Sequence, residues 1–248
     1  MSGIGGVRFR PKAIVFDLDG TLVDSAPEIA TALNTAMAEI GEAPFPLAEV
    51  QTFIGGGASV ALKRALAARG TSIADATFDA MMVSFYKVYA EVSEQGNGLY
   101  PGVMETLTVL RDRAVPLGVC TNKDAPITAI ALRALGIAQF FATVVGARDD
   151  LPRKPAPDML LAALAALGAR PDEALVIGDS RSDVGSARAA GCPVIAVSYG
   201  YPHGPVADLG ADLVIDRMPD LLRHLELAPT KASDLECDPC LGRSRRRI

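Results

Sequence analysis

The chain has 248 residues, 50% of them hydrophobic, enough to bury a large core in one domain or two smaller ones. Its formal net charge of −5 argues against a protein held to nucleic acid by phosphate contacts. The opening MSGIGGVRFRPK is followed by only four apolar residues before Asp17, and the longest apolar helical stretch, 159–167, falls well short of the ~20 residues that span a bilayer; neither secretion nor a membrane is expected, and the chain is placed in the cytoplasm.

The first predicted element is a strand over 12–19, KAIVFDLD, whose apolar run stops at Asp17 and carries a second carboxylate at Asp19. From 25 to 98 no strand pattern follows. Helical patterns occupy 28–40, 58–68 and 78–94, with the loop IGGG at 54–57. Beyond residue 98, helices alternate with strands: helix 103–113, strand 115–121, helix 126–135, strand 141–147, helix 157–167, strand 173–179, helix 182–190, then strands 193–198 and 211–215. These strands are continuously apolar, as parallel strands covered on both faces are. Gly136, Gly168 and Gly191 each follow a helical run, where a left-handed cap stops a helix.

That rhythm predicts an α/β protein: a Rossmann-like parallel sheet with helices on both faces, built from 1–24 and 99–228. An inserted α-helical cap domain, 25–98, interrupts it. Residues 229–248 are polar, end in RSRRRI and read as a disordered tail. Cys120 and Cys192 adjoin apolar runs and are expected to be buried, reduced thiols. Cys237 and Cys240 form a single CxxC in the tail, without the second pair or nearby histidines that a zinc site uses.

In an open parallel sheet, ligands bind beyond the carboxyl ends of the strands. Asp17, Thr121 and Asp179 each occupy such an end, and Asp183 follows Asp179 by four residues, at the first turn of the next helix, where it can also complement the helix dipole. Carboxylates gathered in one crevice raise one another's pKa values, and a hard divalent cation resolves the repulsion. An oxygen-only donor set suits magnesium, together with waters and substrate phosphate oxygens, better than zinc. Such a cation also lets a carboxylate approach a phosphate dianion. Asp17 is then the candidate nucleophile, Asp19 passes protons to the leaving group and from water, Thr121 and Asn122 donate to the transferring oxygens, and Lys154, in RKPAPD, supplies a fixed positive charge.

These residues resemble the four signature motifs of the haloacid dehalogenase superfamily: DLDGT at 17–21, Thr121, Lys154, and GDSRSD at 178–183. The resemblance implies a magnesium-dependent aspartyl-phosphate mechanism. It makes Asp17 nucleophile and metal ligand, Asp19 an acid/base that ligates through its backbone carbonyl, Asp179 a further ligand and Asp183 an outer-sphere support. Gly20 joins Thr121, Asn122 and Lys154 around the phosphate.

Within the superfamily the longer phrases FDLDGTLVDSAPEI, FIGGG, YPGV, TNK, KPAPD, GDSRSDVGSARAAGC and SYGY resemble bacterial phosphoglycolate phosphatases. That implies hydrolysis of a small phosphorylated metabolite, 2-phosphoglycolate, to glycolate and phosphate; a monomer or homodimer is expected. After SYGY this chain has PHG where that family suggests an asparagine. The cap is expected to set specificity by closing over the crevice, with Gly55, Gly56 and Gly57 allowing close approach and Lys63 or Arg64 meeting a second carboxylate. A pyrophosphatase, sugar-phosphate phosphatase or phosphomutase uses the same scaffold. A dehalogenase acting on carbon would not need the metal cluster, and a phosphoacceptor signalling module would gather similar residues without turnover.

Overall fold

The computed structural model describes residues 7–95 and 98–227. The expected tail and its two cysteines lie outside the described residues. Six strands form one parallel sheet: β1 (Ala13–Phe16), β2 (Leu117–Asp124), β3 (Thr143–Ala147), β4 (Ala174–Gly178), β5 (Val194–Val197) and β6 (Leu213–Ile215). Their spatial order is β3-β2-β1-β4-β5-β6, which puts β1 at the point where the order reverses. Phe16 of β1 is in register with Ile177 of β4, and Asp17 N–H donates to the Ile177 carbonyl at 2.8 Å. The residues just past both strands are therefore forced side by side.

Alternation along β1 divides its side chains between the two faces of the sheet. Ile14 and Phe16 join Leu117, Val119, Leu175 and Ile177 in a core covered by α5 (Val103–Asp112) and α6 (Ala125–Ala134). Val15 joins Cys120, Val176 and Val194 in a second core, under α7 (Asp158–Leu167) and α8 (Arg181–Ala190). Both faces are sealed, which is why the strands read as unbroken apolar runs. α7 and α8 end at Gly168 and Gly191, with φ of +64° and +80°.

Between β1 and α5 lie α1 (Ala26–Ala38), α2 (Leu47–Gln51), α3 (Ala58–Arg69) and α4 (Asp75–Ser93), packed around their own apolar cluster, which includes Leu33, Met37, Leu62, Met81 and Phe85. The chain enters and leaves this segment side by side. Asp24 N–H donates to the Gly98 carbonyl at 2.6 Å, and Tyr100 N–H to the Leu22 carbonyl at 3.1 Å. Elements that differ from the sequence expectation include β1, which stops at Phe16 and not at 19 and so leaves Asp17 and Asp19 beyond the strand. α2 is a five-residue helix, too short to show a helical period. β2 continues past Thr121 to Asp124, and its pairing with β3 shifts between Cys120 and Asp124, so that Thr121, Asn122 and Lys123 reach the crevice from one irregular stretch.

Candidate active site

The crevice sits over the carboxyl ends of β1, β2 and β4 and is roofed by α1, α3 and α4. Asp17, Asp179 and Asp183 each present a carboxylate oxygen within 4.8 Å of the others, and all three are buried. Lys154 stands among them. Its Nζ donates to Asp17 Oδ1 at 2.8 Å, Asp183 Oδ1 at 2.6 Å and the Cys120 carbonyl at 2.6 Å, which uses all three of its protons. Burial alone would depress this ammonium, but Asp17 and Asp183 outweigh it and hold the group charged.

The three carboxylates have unequal freedom. Asp183 accepts at Oδ2 from Ser180 N–H (3.0 Å), Ser180 Oγ (2.6 Å) and Asp179 N–H (3.3 Å), so both of its oxygens are occupied by protein donors. It is also the first-turn acid of α8, so the helix-cap reading and the site reading hold together. Asp179 accepts at Oδ2 from Tyr201 N–H at 2.7 Å and at Oδ1 from Thr21 Oγ1 at 3.4 Å. Asp17 Oδ2 has no donor among the described residues, which leaves it open toward the crevice. Burial, and then the charge of Asp183, push the Asp17 carboxyl up to about 7 despite Lys154. Burial, with Asp183 and Asp17, likewise raises Asp179 well above the carboxylate range. Buried carboxylates short of counter-charge are what a divalent cation neutralises, and this oxygen-only donor set fits a hard ion.

Glycines set the spacing around Asp179. A Cβ on Gly20 would lie 2.2 Å from Asp179 Oδ2, and one on Gly200 would lie 2.4 Å from Asp179 Cβ, from its Oδ2 and from the Gly20 carbonyl oxygen. Only bare backbone lets these segments close on the carboxylate. Gly20 is thus brought against Asp179, and it is not among the residues lining the crevice. Thr121 is buried in the crevice wall with its hydroxyl proton available, since Oγ1 accepts from Lys123 N–H at 3.2 Å. The Asn122 side chain also ties the loop that carries Lys154: its Nδ2 donates to the Lys154 carbonyl and its Oδ1 accepts from Lys154 N–H, both at 3.0 Å, and the second of its two amide protons has no acceptor among the described residues.

Asp19 lines the same crevice outside the three-carboxylate cluster, and its Oδ1 accepts from Lys123 Nζ at 2.8 Å. Lys63 is not brought to the site: it is exposed on α3 with its ammonium over the Phe78 ring, 5.5 Å from the centroid, because that face of the helix points outward. Arg64 instead donates to the Phe53 and Ile54 carbonyls at 3.0 and 3.1 Å and ties down the preceding loop. Gly55 and Gly57 line the crevice, whereas Gly56 faces Val60. Sequence reasoning missed Lys123, Tyr89 and Gly200. Lys123 sits in the quoted TNK, and Gly200 in SYGY, but no spacing rule separates them from ordinary strand and turn residues.

A six-stranded parallel sheet with an aspartate at the reversal point, a second aspartate just past the adjacent strand and a buried lysine beside the cluster fits a hydrolase of the haloacid dehalogenase type. The chain belongs to the haloacid dehalogenase-like hydrolase family, which it matches over residues 11–191. It is 44% identical over 236 residues to the phosphoglycolate phosphatase of Rhodospirillum rubrum, covering 94% of this chain and 98% of that protein. It is 38% identical over 246 residues to that of Escherichia coli K12, covering 92% and 97%. A crystal structure of a predicted phosphoglycolate phosphatase from Haemophilus somnus 129PT superposes with a TM-score of 0.80 at 33% identity, over 86% of this chain and 97% of the other.

Proposed function

We propose that this protein is a magnesium-dependent phosphatase that hydrolyses 2-phosphoglycolate to glycolate and phosphate through a phosphorylated Asp17. The observation that carries the reaction class is the meeting of Asp17, Asp179, Asp183 and Lys154 at the ends of adjacent strands. Similarity to phosphoglycolate phosphatases along more than nine-tenths of the chain, cap segment included, supports the substrate.

In this reading Asp17, Asp179 and the Asp19 carbonyl would hold the magnesium ion, and Asp183 would support it from outside. Bound there, the ion neutralises phosphoryl oxygens and screens the acidic cluster. The open Oδ2 of Asp17 attacks phosphorus, and the alkoxide of glycolate leaves with a proton from Asp19. Water, deprotonated by Asp19, then attacks phosphorus and releases phosphate and the Asp17 carboxylate. Lys154 steadies Asp17 and the charge that develops beside it, while Thr121 donates to the phosphoryl group. The segment 25–98 acts as a cap that shuts water out and sets specificity; Gly57 lies against the Asn122 carbonyl, and Tyr86 and Tyr89 reach Asp124 and Lys123 of β2.

Two buried, unpaired thiols, Cys120 and Cys192, support a reducing cytoplasm, where the protein works as a monomer or homodimer.

The test is phosphate release from 2-phosphoglycolate with and without magnesium, alongside Asp17→Asn and a panel of pyrophosphate, sugar phosphates and simple esters. Magnesium-dependent release that Asp17→Asn abolishes, with 2-phosphoglycolate preferred by at least about tenfold (roughly 1.4 kcal/mol), is expected. A different preferred ester, or magnesium-independent release of halide from a haloacid, would overturn the reading.

A further inference from the structure

Once a phosphate is bound, 2-phosphoglycolate still carries a carboxylate that needs a partner. Among the residues lining the crevice only Lys123 and Lys154 are cations. Lys154 has no proton left, since Asp17, Asp183 and the Cys120 carbonyl take all three. Lys123 differs. Its side chain is 3% exposed, and Nζ donates to Asp19 Oδ1 at 2.8 Å and to the Tyr89 hydroxyl, leaving its third proton without an acceptor among the described residues. A buried ammonium with an unmatched donor facing a crevice is a site for an anion.

We infer that Lys123 is the residue that recognises the substrate's carboxylate, and so decides specificity. This rests on the substrate reading above. Asp19, the proposed proton donor to the ester oxygen, is one hydrogen bond from Lys123, and in 2-phosphoglycolate the carboxyl carbon is only two bonds beyond that oxygen. A substrate that brings its ester oxygen to Asp19 therefore brings its carboxylate to Lys123. The other roof side chains Ile29, Ile54, Ala58, Ala61 and Phe85 are apolar and offer the carboxylate no charge. The Tyr89 hydroxyl comes from α4, so the cation is complete only with the helical segment seated over the sheet. Discrimination between acid-bearing and neutral esters is thus tied to closure.

The test compares kcat and KM for 2-phosphoglycolate and for 2-hydroxyethyl phosphate, which replaces the carboxylate with a hydroxymethyl group, in the full-length protein and in Lys123→Gln and Lys123→Arg. A charge-assisted hydrogen bond predicts that Lys123→Gln loses at least about tenfold more kcat/KM on 2-phosphoglycolate than on 2-hydroxyethyl phosphate, mainly through KM, and that Lys123→Arg restores part of the difference. Thermal melts with magnesium establish that both variants fold; if Lys123→Gln does not, the Lys123→Arg ratio decides alone, predicted to lie between wild type and no preference. Equal losses on the two esters would mean that Lys123 merely supports Asp19. No loss would place the carboxylate on the amides that open α3. Either result overturns the inference while leaving the substrate reading intact. Wild-type protein with no preference between the esters removes the substrate reading itself, and this inference with it.

Discussion

Gly200 offers a clean perturbation, because its backbone is not in the left-handed region and alanine is therefore conformationally acceptable there. Only space forbids it. The added Cβ would stand 2.4 Å from Asp179 Cβ, Asp179 Oδ2 and the Gly20 oxygen, where ordinary contact begins at 3.4 Å, a shortfall of about 1 Å. Two of the three atoms belong to a candidate metal ligand, and the third to the loop that carries Asp17 and Asp19. Relief of the clash must move one of them by most of that distance. Displacements of about 1 Å cost on the order of 10²-fold in rate, whereas the overpacking itself costs ~1–3 kcal/mol, a few degrees of Tm for each kcal/mol in a chain of this size. Gly200→Ala should therefore stay folded, lose about 10²-fold in kcat/KM and need more magnesium for half-maximal rate. Gly191→Ala is the control: its φ of +80° strains alanine by ~1 kcal/mol, yet nothing lies within 4 Å, so it should lower Tm and leave the kinetics alone. Steady-state kinetics over a magnesium titration, with melting curves for both variants, decide the matter. Gly200→Ala with wild-type kinetics, or Gly191→Ala with an equal rate defect, would refute the claim that Gly200 fixes the position of Asp179.

Two further outcomes follow from contacts around the crevice. Tyr86 on α4 donates to Asp124 Oδ2 at 2.7 Å, while Arg153 holds the other oxygen at 2.9 Å, so Tyr86→Phe removes about 1 kcal/mol from the seating of the helical segment. KM should rise a few-fold with Tm nearly unchanged, and an unaltered KM would show that this contact does not hold the closed state. In the cation-free protein Asp17 is raised from 3.8 to about 7, chiefly by burial, so the native state binds this proton more tightly than the unfolded chain does. The resulting stability is fully present below pH 3.8 and lost as pH rises to about 7, amounting to at most about 4 kcal/mol. Urea titrations between pH 4.5 and 8 in chelator should show that decline in wild type and a flatter profile in Asp17→Asn; parallel profiles would contradict the assignment.

Much of this was legible in the sequence because each part rests on a local rule. Continuous apolar runs such as EALVIG mark strands buried on both faces, and the strand order then delivers Asp17 and Asp179 to the same place. The absence of strand patterns from 25 to 98 exposed the helical insertion. What stayed hidden depends on side-chain direction. Asn122 and Lys123 are neighbours on one strand, yet one locks the Lys154 loop and the other joins Asp19 and Tyr89, 104 and 34 residues away in the chain. Lys63 lies on a helix whose opposite face, with Ala58 and Ala61, meets the crevice, and a shift of about half a turn decides whether a lysine faces ligand or water. The close packing of Gly20 and Gly200 on Asp179 joins segments 180 residues apart and has no sequence signature at all.

The most direct measurement is chemical trapping of the phosphorylated residue. Acid quenching during turnover of 2-phosphoglycolate with magnesium, followed by borohydride reduction and peptide mass spectrometry, should convert residue 17 to homoserine, with none formed in chelator or in Asp17→Asn. Turnover that leaves residue 17 unmodified while another carboxylate is reduced would contradict the proposed route through Asp17.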